Sequence, residues 1–125
     1  MNEDALNIIS KIAANPNAFA YMDVPYRQEL RGKGAENVYV CEMPTIIQYK
    51  MLNLIRNVKC CVLLCGYRSK VNDLYDRMLL PYGWHSYKIA ELVKTCQTKD
   101  KRDIGEEWIW VNYDLPDTAK KYIKF

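Results

Sequence analysis

Histidine is almost absent from this chain of 125 residues: His85 is the only one, and no second ligand stands near it in sequence. Zinc sites draw on paired nitrogen or sulfur ligands at short spacing, so the pattern argues against a structural metal. Long hydrophobic runs are missing as well. The longest, Cys60 to Cys65, is far below the ~20 residues that span a bilayer. The opening Met-Asn-Glu-Asp-Ala has neither the basic nor the apolar region of a secretory signal, and a cytoplasmic location is the expectation. No large excess of one charge is present either. A formal +3 does not by itself announce a nucleic-acid binder, so any such role must rest on where the positive side chains sit. Repeats, low-complexity tracts and a second domain are absent.

Five cysteines form an odd set, and three of them, Cys60, Cys61 and Cys65, share one strand-like run. Neighbours on a strand point to opposite faces, so Cys60 and Cys61 are badly placed to bridge each other. They read as reduced thiols acting as small apolar core residues.

What the chain does contain is one domain's worth of core, with half of its residues apolar and about a quarter charged. Leu6, Ile9, Ile12 and Ala13 repeat at helical spacing until Asn15-Pro16-Asn17 breaks the pattern. Ala18 to Val24 reads as a buried strand ending at Pro25, and Arg27 to Asn37 as a mobile charged loop containing Gly32 and Gly34. Pro44 suits the first turn of a second helix, with Ile47, Met51, Leu54, Ile55 and Val58 as its apolar stripe. Cys60 to Tyr67 has the look of a strand covered on both faces. Ser69 is the expected N-cap of a third helix bearing Val71, Leu74, Tyr75, Met78 and Leu79, which Pro81 and Gly83 terminate. Trp84 to Val93 and Glu107 to Tyr113 read as strands of an antiparallel hairpin around the lysine-rich loop 94–105, with Trp108 and Trp110 on one face. The alternation predicts an α/β fold, three-layered, with a mixed sheet of about four strands, helices on its faces and a C-terminal antiparallel hairpin. The core spans about residues 5–115 of a single domain, 1–125, and 116–125 form a short basic tail.

One segment carries chemistry. Tyr21-Met22-Asp23-Val24-Pro25-Tyr26 sets an acid and a proline-aromatic pair at the end of a strand. An acid and adjacent backbone carbonyls accept hydrogen bonds from an exocyclic amine, and a tyrosine ring stacks on the planar base. The plain alternative is an aspartate capping a turn where a strand ends. Arg27, Arg31 and Lys33 follow directly and are candidate DNA-phosphate contacts, diluted by Glu29 and Glu36; Lys99, Lys101 and Arg102, with Lys94, make a denser basic loop opposed by Asp100 and Asp103. Trp108 and Trp110 read as core, His85 as structural, and Ser69 lacks the histidine that a hydrolase nucleophile needs in its segment.

Four stretches, in order, resemble the C-terminal half of a Dam-type DNA adenine methyltransferase. Residues 21–26 resemble the Asp-Pro-Pro-Tyr motif after the family's fourth strand. Leu63-Leu64-Cys65-Gly66-Tyr67 resembles the fifth strand, which commonly ends in Ser-Gly-Tyr. Leu74-Tyr75 followed by Gly83-Trp84 resembles the Leu-Tyr and Gly-Trp pair before the penultimate strand, and Glu107-Trp108-Ile109-Trp110-Val111-Asn112-Tyr113 the Glu-Val-Leu-Trp-x-Asn-Tyr close. The resemblance implies a partial class I methyltransferase (Rossmann-like) fold, with Asp23, Val24, Pro25 and Tyr26 as the base-handling residues. It departs from the family in three ways. The Phe-x-Gly-x-Gly segment that cradles S-adenosylmethionine has no counterpart, the target-recognition insert is missing, and Val24 replaces the first proline, whose ring fixes φ in a strained turn.

The resemblance therefore implies a methyltransferase-like protein that binds no cofactor alone, inactive alone or dependent on a partner that supplies the S-adenosylmethionine half. Lacking that half, the strand at 18–24 keeps an open edge for a homodimer or a partner subunit. A second reading is a non-catalytic DNA- or protein-binding module of phage or prophage origin. A third is an unrelated α/β domain with coincidental motifs, which expects the hairpin not to pair beside the Cys60 to Tyr67 strand.

Overall fold

A computed structural model describes residues 3–27, 30, 43–93 and 104–123. Helix α1, Ala5–Ile12, opens at Asp4, whose carboxylate accepts the Leu6 N–H at 2.8 Å and satisfies one of the orphan donors of a first turn. Strand β1, Phe19–Met22, turns Ala20 and Met22 inward. It stops short of the expected Val24, ahead of Pro25, which has no N–H to offer a ladder. Helix α2, Thr45–Ile55, begins one residue later than expected, with Pro44 at the cap position. Its buried face is Gln48, Met51, Leu52 and Ile55, rotated by about one residue from the apolar stripe visible in sequence.

Strand β2 is Cys61–Tyr67. Helix α3, Leu74–Leu79, is capped by Asp73 and not by Ser69: the Asp73 carboxylate accepts the N–H groups of Tyr75 and Asp76 at 2.9 and 3.2 Å. Val71 accordingly lies outside the helix and is exposed. A 3-10 turn at Leu80–Tyr82 closes on Gly83 at φ 86, a left-handed conformation that glycine adopts without strain. Strands β3, His85–Val93, and β4, Ile104–Val111, complete the sheet, and a short helix α4, Asp117–Lys120, lies in the tail. Among the described residues, no helix is long and apolar enough to cross a membrane.

Among the described residues the sheet has four strands in the order β1-β2-β4-β3. β1 runs parallel to β2, while β4 is antiparallel to both β2 and β3, so the sheet is mixed and closes on a hairpin. Trp110 pairs with Leu64 on one side and Ser86 on the other, at the centre of the sheet. The two faces differ. Ala20, Met22, Val62, Leu64 and Trp110 point into one core together with residues of α1, α2 and α3. The opposite face holds a smaller cluster of Cys65, Ile109, Val111 and Leu115, against which Ile123 packs from the tail. Among the described residues α1, α2 and α3 thus share one face, and the tail that carries α4 reaches the other at Ile123. Handedness accounts for the shared face. Right-handed crossovers that advance across a sheet in one direction put their helices on one face, and only a reversal of direction covers the other.

Asn112 fastens the end of β4 to the start of β2. Its side chain accepts the Val62 N–H at 2.7 Å and donates to the Cys60 carbonyl at 2.8 Å. Asn112→Ala strands both backbone groups, and the unfolding free energy should fall by about 1–3 kcal/mol in urea titrations. A loss below about 0.5 kcal/mol would mean that water replaces the amide.

Candidate functional site

Parallel strands put their carboxyl ends on one side of a sheet, and ligands of open α/β folds bind outside those ends. Asp23 to Arg27 leave β1 at that position, and three anchors set their path. The Pro25 carbonyl accepts from Gln48 Nε2 at 3.3 Å, and Gln48 Oε1 accepts the Tyr75 hydroxyl at 2.6 Å, with Gln48 and Tyr75 both about 1% exposed. The Tyr26 hydroxyl donates to the Glu107 carboxylate. Arg27 inserts its guanidinium 4.1 Å from the Tyr75 ring centroid and donates to Asp73 Oδ2 at 2.7 Å and to the Tyr67 carbonyl at 2.6 Å. A buried polar network thus runs beneath the segment from α2 to the cap of α3. Every member needs its partner, because an unpaired polar group in this interior costs more than a bond gains.

Above the network the chemistry is anionic and aromatic. Asp23 is exposed, and among the described residues its carboxylate enters no ion pair. The Tyr26 ring stands edge-on to Tyr67, 4.7 Å between centroids at 76°. The Tyr21 hydroxyl and the Cys65 thiol meet in a hydrogen-bond contact at 3.6 Å. That contact, reinforced by the nearby Asp23 and Glu107 carboxylates, pushes the Tyr21 phenol up to about 12. Burial, and then the bond to Glu107, raise the Tyr26 phenol above its ordinary value, and burial raises the Cys65 thiol. Both phenols therefore stay protonated at neutral pH, beside two carboxylates. Such a set accepts hydrogen bonds from a donor-rich ligand and offers flat faces to a ring.

The candidate residues do not all meet. Asp23, Pro25 and Tyr26 share the strand tip, and Val24 beside them is buried, about 8% exposed. Arg27, expected at the surface as a phosphate contact, is 4% exposed and committed to Asp73, so it holds the segment from inside. Arg31, Lys33, Lys99, Lys101 and Arg102 lie outside the described residues. Trp110 is core, and Trp108 is half-buried with the Arg68 guanidinium 4.6 Å over its ring. His85 pairs with Asp114 at 3.3 Å on an exposed edge, and the Ser69 hydroxyl is turned to the Val71 carbonyl at 3.0 Å.

Four residues of the site escaped the sequence reading: Gln48, Asp73, Tyr75 as an anchor, and Glu107. Two carried a signal. Gln48 interrupts the face it shares with Met51, Leu52 and Ile55, and Asp73 directly precedes a helical run, where a capping aspartate belongs. Glu107 had none, because its partner Tyr26 is distant in sequence.

Beside β1 lies a cavity of about 530 Å3, lined by α1 residues from Ala5 to Ile12, by β1, and by Asp23, Val24, Pro25 and Met43. That volume is in the range of small-molecule sites, yet among the described residues Asp23 is the only charged one of its wall. Among the described residues, no group of three or more histidine, cysteine, aspartate or glutamate side chains could hold a metal ion. No protein-family model, curated protein or solved structure matches the chain.

Proposed function

We propose that the chain is a DNA adenine methyltransferase-like protein, a partial class I methyltransferase fold that keeps the target-base motif without the cofactor-binding one. The observation that carries this reading is the exposed Asp23, in no ion pair among the described residues, at the carboxyl end of a parallel strand, beside the Tyr26 ring and on a loop fixed from below. Support also comes from the hairpin: β4 pairs with β2 from Leu63 to Tyr67, where the coincidental reading expects it not to. In this reading Asp23 and a carbonyl near Val24 accept the two hydrogens of an exocyclic amine and hold the ring in place. Tyr26 offers it an aromatic face. These interactions offset part of the few kcal/mol needed to unstack a base.

S-adenosylmethionine does not fit the described residues. The described residues that line the cavity beside β1 offer no cation for the methionine carboxylate, and the one charge among them is Asp23. The chain by itself accordingly binds a base and transfers no methyl group; transfer requires a partner subunit that brings the cofactor half to the edge of β1. A non-catalytic DNA-binding module of phage or prophage origin is the second reading. It is favoured by Val24 in place of a proline and by the engagement of the Tyr26 hydroxyl with Glu107.

Calorimetry with the two ligands separately and together tests the proposal. An oligonucleotide duplex with an unpaired adenine should give binding heat, and S-adenosylmethionine none. Replacing that adenine by purine, which lacks the amine, should weaken binding about tenfold to hundredfold, the worth of hydrogen bonds to a charged group. Asp23→Asn should erase the preference. Cofactor heat from the isolated chain, or equal affinity for adenine and purine, would refute it.

A further inference from the structure

Strand β1 is paired on one side only among the described residues. The Cys61 N–H donates to the Ala18 carbonyl at 3.0 Å. Backbone polar groups alternate sides along a strand, so Ala20 and Met22 also direct theirs to β2, and those of Phe19 and Tyr21 face the open edge. Their side chains are 54% and 62% exposed on the sheet face away from the helices. On the helix side, the apolar cavity beside β1 is walled by Ile8 and Ile12.

Among the described residues, the two ends of this edge differ in charge. Ala5 at the start of α1 and Pro25 beyond β1 line the same cavity, while Ala13 at the other end of the helix accepts the Lys59 N–H at 2.7 Å. Helix and strand are therefore antiparallel. Exposed Asp4 and Asp23 mark one end and exposed Lys59 the other, with Lys11 and Glu3 paired to each other on the helix.

We infer that the edge is closed by β1 of a second copy of this chain, antiparallel about a twofold axis, giving one continuous eight-stranded sheet. A twofold interface is self-complementary, and an antiparallel one brings each acidic end to the other copy's Lys59 end. The register that places Ala20 on the axis is the one that fits. It sets Phe19 opposite Tyr21 of the second copy, twice. Both are residues with outward-facing backbone groups, so each pair exchanges two hydrogen bonds. The same register makes two cross-strand aromatic pairs and leaves only a methyl group, that of Ala20, at the close approach on the axis. Ile8 and Ile12 of both copies then fill the groove. The inference stands apart from the base-binding reading, and a foreign strand could use the edge only after the copies separate.

Analytical ultracentrifugation and amide exchange on the unmodified chain test it together. Sedimentation should give twice the chain mass. The Phe19 and Tyr21 amides should exchange about tenfold or more slowly at concentrations where the dimer forms than where it does not. Added salt should promote dissociation. Tyr21→Pro removes an outward N–H and no backbone bond to β2, a position where edge strands accept proline, and should give a folded monomer. If that variant unfolds, exchange on the unmodified chain decides alone. A monomer at every concentration, a dimer whose Phe19 and Tyr21 amides exchange at the same rate throughout, or protection that appears only on adding another polypeptide overturns the inference.

Discussion

Arg27→Ala is expected to lower the unfolding free energy by about 3–5 kcal/mol, the cost of leaving a buried charge without its partner. The side chains of Arg27 and Asp73 are 3% and 0% exposed, and the pair closes at 2.7 Å. Removing the guanidinium leaves Asp73 in the interior, with only the N–H groups of Ser69, Tyr75 and Asp76 to hold its charge. It also withdraws the donor from the Tyr67 carbonyl and the cation from the Tyr75 ring. Arg27→Lys should recover only part of the loss, since an ammonium cannot satisfy Asp73 and the carbonyl with one planar fork. Urea unfolding of the two variants checks this. A loss under about 1 kcal/mol for Arg27→Ala would show that water reaches Asp73 and that the pair is of the weak, solvent-screened kind.

Trp110→Ala should cost a comparable amount, about 3–5 kcal/mol, by opening a cavity in the middle strand. Its ring is fully buried, meets Tyr75 edge-on at 4.9 Å, and donates Nε1 to Asp76 at 2.8 Å. Gly66 allows this packing: a methyl group there would come within 3.3 Å of Tyr75 Cε2 and 3.6 Å of Trp110 Cζ3. Tyr75 in turn holds Gln48, and Gln48 holds the Pro25 carbonyl. The backbone resonances of Asp23 to Tyr26 should therefore shift along with the stability. Unchanged resonances would show that the loop keeps its shape without the Trp110–Tyr75 contact. Trp110→Phe, which keeps a ring in the space, should lose less.

The sheet was largely legible because its signals are local. The apolar run at Cys60 to Tyr67 became β2, the tryptophan alternation placed Trp110 inward and Ile109 and Val111 on the other face, and Pro81 with Gly83 marked the end of α3. The errors share a cause. Arg27 looks like any surface arginine until Asp73 is folded against it, and Ser69 looks like a cap only while Asp73 is overlooked. Charge pairs across 46 residues have no period and no spacing rule, whereas amphipathic faces do. The placement of α1, α2 and α3 on one face was not legible for a different reason: connection length gives crossovers, but which face they cover depends on the direction in which successive strands are added. At the site, the Asp23–Tyr26 motif was readable as a string of residues. Its geometry was not, since Gln48, Tyr75 and Glu107 arrive from three different elements.

The position of β4 between β2 and β3 has a consequence during synthesis. Strands that pair in chain order can assemble as they leave the ribosome, but here β2 and β3 have no direct ladder and wait for residues 104–111 to bridge them. Until then the edge of β2 and the space that Trp110 fills beside Leu64 stay open on a nascent chain whose contacts are mostly remote in sequence, a state exposed to clumping. A stalled or nicked product ending before Ile104 would hold both outer portions of the sheet with nothing to join them, and would be a substrate for chaperones and proteases.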